Sequence, residues 1–200
     1  MLIGQQVRLR GVERSDLPVV VGWMNDPATR AQIARSSPLS MAEEERWFEQ
    51  LLKATTDVVF IVETRPGGAT KAPRTLGMCG IHKIDWKHRN AAVGIVIGAV
   101  ADRGRGYGTD ALRALVAHAV NDLGLHRIEL EVFPDNAAAL LSYQRCGFVK
   151  DGVRRAAMFK DGGFRDLVLM SILAPEVLSS SAPSASSLSP PAKPKKKANP

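Results

Sequence analysis

The stretch Arg103-Gly-Arg-Gly-Tyr-Gly-Thr109 carries the most readable chemistry in the chain. It lies between Val93-Gly-Ile-Val-Ile97, a β-branched run that reads as a strand, and Asp110–Val120, which reads as a helix. In the latter, Leu112, Leu115, Val116, Ala119 and Val120 recur at helical spacing. A glycine-rich turn from a strand into a helix N-terminus aims backbone N–H groups at an anion, and the helix dipole adds about half a positive charge there. Gly106 and Gly108 allow positive φ and close approach, and Arg103 and Arg105 add mobile positive charge. This is not a Walker loop, which ends in Gly-Lys-Ser/Thr where Gly108-Thr109-Asp110 stands here. Nor is it the dinucleotide fingerprint, because Thr109 takes the place of the third glycine. Taken alone, the stretch has a second, lesser reading as a surface turn capping an ordinary helix.

Other chemistries find little support. Cys79 and Cys146 are far apart, with no Cys-x-x-Cys spacing and no paired histidines, so two free thiols and no metal site are expected. The four histidines are scattered and read as structural or solvent-facing. The chain has 200 residues, enough for one domain with a sizeable core. Its net charge of +7 divides unevenly: after Leu173, Lys193, Lys195, Lys196 and Lys197 against Glu176 give +3, leaving +4 for residues 1–173. That remainder shows no dense basic stripe with aromatic platforms, so it fits an anionic small ligand better than a nucleic acid. No apolar run reaches the roughly 18 residues of a membrane span, and the start lacks a signal-peptide pattern. A cytoplasmic location with no membrane partner is the expectation.

The elements that would position the loop follow in order. Gln6–Arg10 alternates as a first strand, and Ser15-Asp16 caps a helix through Leu17, Val20, Val21 and Met24. A short helical piece covers Ala28–Arg35, and the capping box Ser40-Met-Ala-Glu43 opens a helix to Leu52. Val58–Val62, Thr75–Asp85 and Ala91–Ile97 read as the second, third and fourth strands, with a mobile loop at Pro66–Pro73. Beyond the loop helix, Arg127–Phe133 reads as a fifth strand and Ala137–Arg145 as a helix stopped by Cys146-Gly147. Val153–Lys160 and Arg165–Leu173 flank Asp161-Gly162-Gly163 as a hairpin. The expected architecture is α/β with a mixed sheet and helices on both faces. Residues 179–200, rich in Ser, Pro and Lys, read as a disordered tail after a domain at 1–178.

A second motif narrows the reading. The loop fits Arg-x-x-Gly-x-Gly, and Asn136-Ala-Ala-Ala-Leu-Leu-Ser-Tyr143-Gln-Arg-Cys-Gly147-Phe148 fits Asn-x-x-Ala-x-x-x-Tyr-x-x-x-Gly-Phe. Together they resemble the GNAT acyltransferase superfamily. Val7-Arg-Leu-Arg, Asp16-Leu17, Trp23-Met-Asn25-Asp26, Glu43-Glu44 with Trp47-Phe48, and Asp161-Gly-Gly-Phe-Arg-Asp166 are similar to its Rim-type branch of ribosomal-protein N-acetyltransferases. The resemblance spans residues 5–173 and implies the GNAT acyl-CoA N-acyltransferase fold: a mostly antiparallel sheet splayed between strands 4 and 5.

It also implies site roles, with acetyl-CoA as co-substrate and no metal. Backbone groups of Val96, Ile97 and Gly98 would pair with the pantetheine arm. Backbone N–H groups of Gly104, Arg105, Gly106, Tyr107, Gly108 and Thr109 would hold the pyrophosphate beside Arg103. Asn136 would bond the pantetheine region, cap its helix, or both. Tyr143 would protonate the departing thiolate; its other reading is a core tyrosine. A phenol, with a pKa near 10, stays a proton donor at neutral pH. Glu131 is the candidate base, with Glu129 on the same face as a second, ordered water as a third option, and Asp85 and Glu13 as outsiders. An acid common in related sequences is missing from Ala91-Ala92-Val93, which argues against a polyamine. The implied activity is acetyl transfer to a primary amine, of a protein N-terminus or a small molecule, by direct attack in a ternary complex. The competing class is a non-catalytic acyl-CoA-binding module tethered to ribosomes or nucleic acid through the basic tail. A monomer or homodimer would serve either, and tail contact with polyanions would be weak.

Overall fold

The computed structural model describes residues 1–66 and 72–181. The elements are β1 (Leu2–Ile3), β2 (Val7–Gly11), α1 (Leu17–Asn25), α2 (Pro27–Gln32), α3 (Met41–Leu51), β3 (Val58–Thr64), β4 (Thr75–Asp85), β5 (Asn90–Ile97), α4 (Tyr107–Asn121), β6 (Arg127–Val132), α5 (Ala137–Arg145), β7 (Val149–Lys160), β8 (Gly163–Leu173) and α6 (Ala174–Ser181). Short 3-10 turns at Arg14–Asp16 and Val100–Asp102 precede α1 and the glycine loop. Because Leu2–Ile3 forms a strand of its own, the expected fourth and fifth strands are β5 and β6.

All eight strands form one sheet in the order β1-β2-β3-β4-β5-β6-β8-β7. Every pairing is antiparallel except β5 with β6, the pair that α4 connects. That parallel pair spans only Asn90↔Arg127, Ala91↔Ile128 and Ala92↔Glu129. Beyond Ala92 and Glu129 the two strands separate, as the sequence resemblance implied.

Local chemistry sets the ends of the elements. Ser40 Oγ accepts from Glu43 N (3.2 Å) while Glu43 Oε2 accepts from Ser40 N (2.9 Å), completing the capping box of α3. Asp26 Oδ1 accepts from Thr29 N (2.9 Å) and Pro27 occupies the first position of α2. Asp161 (φ 51°) and Gly162 (φ 80°) form the two-residue turn between β7 and β8, with the paired positive φ that matches strand twist.

Period-two alternation sends Val7 and Leu9 of β2, Val62 of β3, and Ile128 and Leu130 of β6 into one core, which α4 covers with Leu112, Leu115 and Val116. Full burial of each such side chain stabilises the fold by about 1.5–3 kcal/mol. Val59 and Ile61 alternate to the opposite face, the side of α1 and α3, whose Leu17, Val20 and Phe48 are buried. The mixed sheet with helices on both faces is therefore present.

Helix α6, absent from the sequence reading, runs across the expected boundary at residue 178, and its Val177 joins the α4 core. The remaining tail, 182–200, and residues 67–71 of the expected loop lie outside the described residues.

Candidate active site

Between the separating ends of β5 and β6 lies a cleft of about 590 Å³. Most of the residues singled out from the sequence line it: Val96, Ile97, Arg103, Gly104, Gly106, Gly108, Thr109, Glu131, Asn136 and Tyr143. Gly98, Arg105 and Tyr107 do not. A Cβ on Gly98 would meet the Trp23 indole at 2.2 Å, so this glycine is needed for packing. Arg105 is exposed at the rim, and Tyr107 packs against the α4 core.

The loop works through its backbone. Gly104 (φ 73°) and Gly106 (φ 88°) are left-handed, and Gly106 is the N-cap of α4. Among the described residues, the N–H groups of Gly104, Arg105 and Gly106 donate to nothing. Those of Tyr107, Gly108 and Thr109 open α4 and have no intrahelical acceptor; the first helical bond is Asp110 N to Gly106 O (3.0 Å). Among the described residues, six consecutive donors are thus free at a positive helix end, an arrangement suited to an anion.

Two buried acids hold this loop. Asp110 accepts from the N–H groups of Gln5 (2.9 Å), Gln6 (2.7 Å) and Val7 (3.0 Å), fastening the start of the chain to α4. Gly4 must lack a side chain there, since a Cβ would lie 2.6 Å from the Asp110 carboxylate. Asp102 takes a two-pronged ion pair from Arg74 (2.5 and 2.7 Å), which holds its carboxyl below the usual carboxylate range. Arg103 is not the mobile charge expected of it. Its guanidinium donates to Ile97 O (3.1 Å), Gly98 O (3.0 Å) and Thr29 Oγ1 (2.6 Å), tying the loop to the end of β5 and to α2.

The β5 edge also divides the expected residues. Gly98 N donates to Leu76 O (2.9 Å), and the Val96 carbonyl lies against Gly77, so both spend backbone groups on β4. Antiparallel alternation then turns the backbone of Ile95 and Ile97 to the open edge. Ile95, which the motif did not mark, joins the N–H of Ile97, whose carbonyl Arg103 already occupies, as a candidate to meet an extended ligand arm, while Val96 and Gly98 do not. The two-residue alternation of the strand was the available signal.

Helix α5 is docked by Thr109 Oγ1 with Ser142 Oγ (2.8 Å) and by Arg113 to Arg145 O (2.9 Å). It holds Tyr143, 8% exposed, beside Phe148. Burial, together with the nearby Cys146, pushes the Tyr143 phenol up to about 12. Its hydroxyl is unpaired among the described residues. Asn136 Oδ1 caps α5 through Ala139 N (3.2 Å), and its Nδ2 donates to no described residue. Burial raises both cysteines, Cys79 to about 12 and Cys146 to about 11, so neither offers a ready thiolate.

Glu131 lines the cleft together with Ile33, Phe133, Met158 and Leu167, and it pairs with Arg154. Glu129 stays outside the cleft beside Arg127, Asp85 caps a turn through His88 N, and Glu13 belongs to the turn before α1. Among the described residues no group of three or more metal-ligating side chains occurs, and no helix is long and apolar enough to cross a membrane.

A sheet split beside a glycine-rich helix start, with a tyrosine across the gap, defines an acyl-CoA-dependent transferase. Residues 6–149 match the model of the acetyltransferase (GNAT) domain, and the chain belongs to this family. It is 27% identical over 179 residues to spermidine N(1)-acetyltransferase of Vibrio cholerae, covering 90% of this chain and 99% of that protein. It is 34% identical over 101 residues to the uncharacterized N-acetyltransferase YoaA of Bacillus subtilis, 50% of this chain and 56% of that one. The structure of the Vibrio cholerae spermidine N-acetyltransferase in complex with CoA and spermine superposes with a TM-score of 0.79 at 26% identity, covering 86% and 98% of the two chains. The chain is an N-acetyltransferase that uses acetyl-CoA.

Proposed function

We propose that the chain acetylates a primary amine by direct attack within a ternary complex, with Tyr143 as the acid. Acetyl-CoA supplies the thioester. The protein supplies six N–H groups for the pyrophosphate, the Ile95 and Ile97 edge for the arm, and Tyr143 to hydrogen-bond and protonate the leaving sulfur. Proximity and fixed backbone dipoles account for most of the rate. The observation that carries this reading is the convergence of free loop donors, open strand edge and unpaired phenol on one cleft. The unreactive cysteines argue against an acyl-enzyme.

For the acceptor, a single ammonium, such as a peptide α-amine or a small monoamine, fits better than a polyamine. Among the described residues, Glu131 is the one acid lining the acceptor side, and Arg154 already shares its charge. The Rim-type resemblance favours the same side, whereas the Vibrio cholerae relative is named for spermidine.

Calorimetric titration with acetyl-CoA and CoA, followed by thiol release against spermidine, tyramine and an alanine tetrapeptide, tests the proposal. Release with tyramine or the peptide supports it, and release with spermidine alone overturns the acceptor class. Tyr143→Phe is expected to lower kcat by about 10²-fold or more with unchanged acetyl-CoA affinity. With the phenol raised to about 12, the protonated, active form persists through alkaline pH, so kcat should show no falling limb up to about pH 10. Wild-type activity in Tyr143→Phe would remove the acid.

A further inference from the structure

The acceptor must arrive as an ammonium and lose a proton before its nitrogen can attack, and the ion-paired Glu131 is poorly placed for that. On the same face of the sheet stands a histidine that the sequence reading set aside. His82 Nδ1 lies 3.0 Å from Asp57 Oδ1. A carboxylate only accepts, so Nδ1 carries the hydrogen and donates it, which leaves Nε2 with the basic lone pair. Burial pulls the Asp57 carboxyl up, but hydrogen bonds from His82 and Thr56 outweigh it, so Asp57 stays ionised at neutral pH.

The ring direction is built into the backbone. His82 stands at the start of a register shift between His82 and Asp85, and Lys83 just after it has φ 53°. Such bulges re-aim a side chain. The imidazole then lies over small residues: a Cβ on Gly80 would be 2.7 Å from Nε2, and Ala92 is the direct cross-strand partner of His82. Gly94, paired with Gly80, lines the cleft, and a Cβ there would be 3.8 Å from Nε2. With no side chain at 94, no Cβ stands between Nε2 and the cleft at this residue.

Building on the acetyl-transfer reading, we propose that His82 Nε2 is the proton acceptor for the incoming ammonium, reached over Gly94 directly or through one water, with Asp57 as its positioning residue. The ammonium gives one proton to Nε2, which passes it on to solvent before the next turnover. The freed nitrogen forms its bond to the acetyl carbon as the carbon–sulfur bond breaks, and the sulfur takes a proton from Tyr143. The proton left on the new amide nitrogen returns the phenol to its neutral form, through solvent. Around the ring, Asp57 is the acid in contact and Lys83 follows in the chain; β5 contributes no titratable side chain, and Glu129 lies opposite Ala92 on β6.

The test uses the full chain with acetyl-CoA and, as acceptors, tyramine, the alanine tetrapeptide and spermidine. His82→Gln should lower kcat/KM by about 10²-fold or more and leave acetyl-CoA affinity at the wild-type level. Imidazole added to His82→Ala should restore activity. Asp57→Asn should lower kcat while both KM values hold. Near wild-type turnover in His82→Gln, or a loss matched by weakened acetyl-CoA binding and not relieved by imidazole, overturns the assignment and leaves acetyl transfer standing. A wild-type protein silent toward all three amines overturns the transfer reading and this step with it.

Discussion

The two sides of the cleft are made of different materials. The cofactor side consists of main chain: six N–H groups from Gly104 to Thr109, the edge of Ile95 and Ile97, and left-handed glycines held by the buried Asp110 and Asp102. The acceptor side consists of side chains from α2, the segment after it, β6 and the β7–β8 hairpin, braced at its mouth by the exposed pair of Glu131 and Arg154. Main chain can only be placed by residues that permit its conformation, so it leaves glycines at fixed spacing. Side chains can be exchanged while the wall survives, so they leave no fixed spacing. On the reading proposed above, the first side holds acetyl-CoA and the second meets the acceptor.

Three substitutions bear on this contrast. The largest effect is expected from Gly106→Val, which forces a β-branched residue to φ 88° at the helix start. Calorimetry should show acetyl-CoA binding lost by about 10²-fold or more, while urea unfolding changes by about 1–3 kcal/mol. Retained affinity would break the claim that the backbone makes this side. Next is Asp110→Ala, which leaves three N–H groups without their acceptor. A loss of about 2–4 kcal/mol in urea unfolding is expected. No loss would show that water replaces the carboxylate and that the loop is not supported from below. The smallest is Glu131→Gln, expected to raise KM for the amine by about 5-fold with the acetyl-CoA Kd unchanged. An effect on acetyl-CoA instead would erase the division between the two sides.

The same contrast explains what could be read in advance. Strand β4 and helix α5 appear with the boundaries the sequence suggested, because alternation and a cap-to-stop pattern are local signals. Strand β1 has two residues, too few to show any period. Strand β7 starts at Val149, earlier than expected, because its register shift between Lys150 and Gly152 hides the alternation. Helix α6 begins Ala-Pro and ends in serines, and only the burial of Val177 against α4 reveals why it forms. Within the site, the loop and Tyr143 were legible as motifs. Arg103 was misjudged because its three acceptors come together only in the fold. Asp110 lies 103 to 105 residues from its donors, and Asp57 lies 25 from His82. No periodicity carries information over such separations.

The three-pair seam between β5 and β6 has a mechanical consequence. On either side of it the sheet is a continuous antiparallel ladder, stiff against shear, but across it few hydrogen bonds resist bending. The width of the gap therefore depends more on what is packed against the two ladders than on hydrogen bonds between them. Leu112 and Leu115 of α4 share one buried core with Ile128 and Leu130 of β6, so packing joins the two ladders where hydrogen bonds do not. Trimming one of these core side chains is expected to loosen that join, which a change in the size of acyl group accepted would reveal.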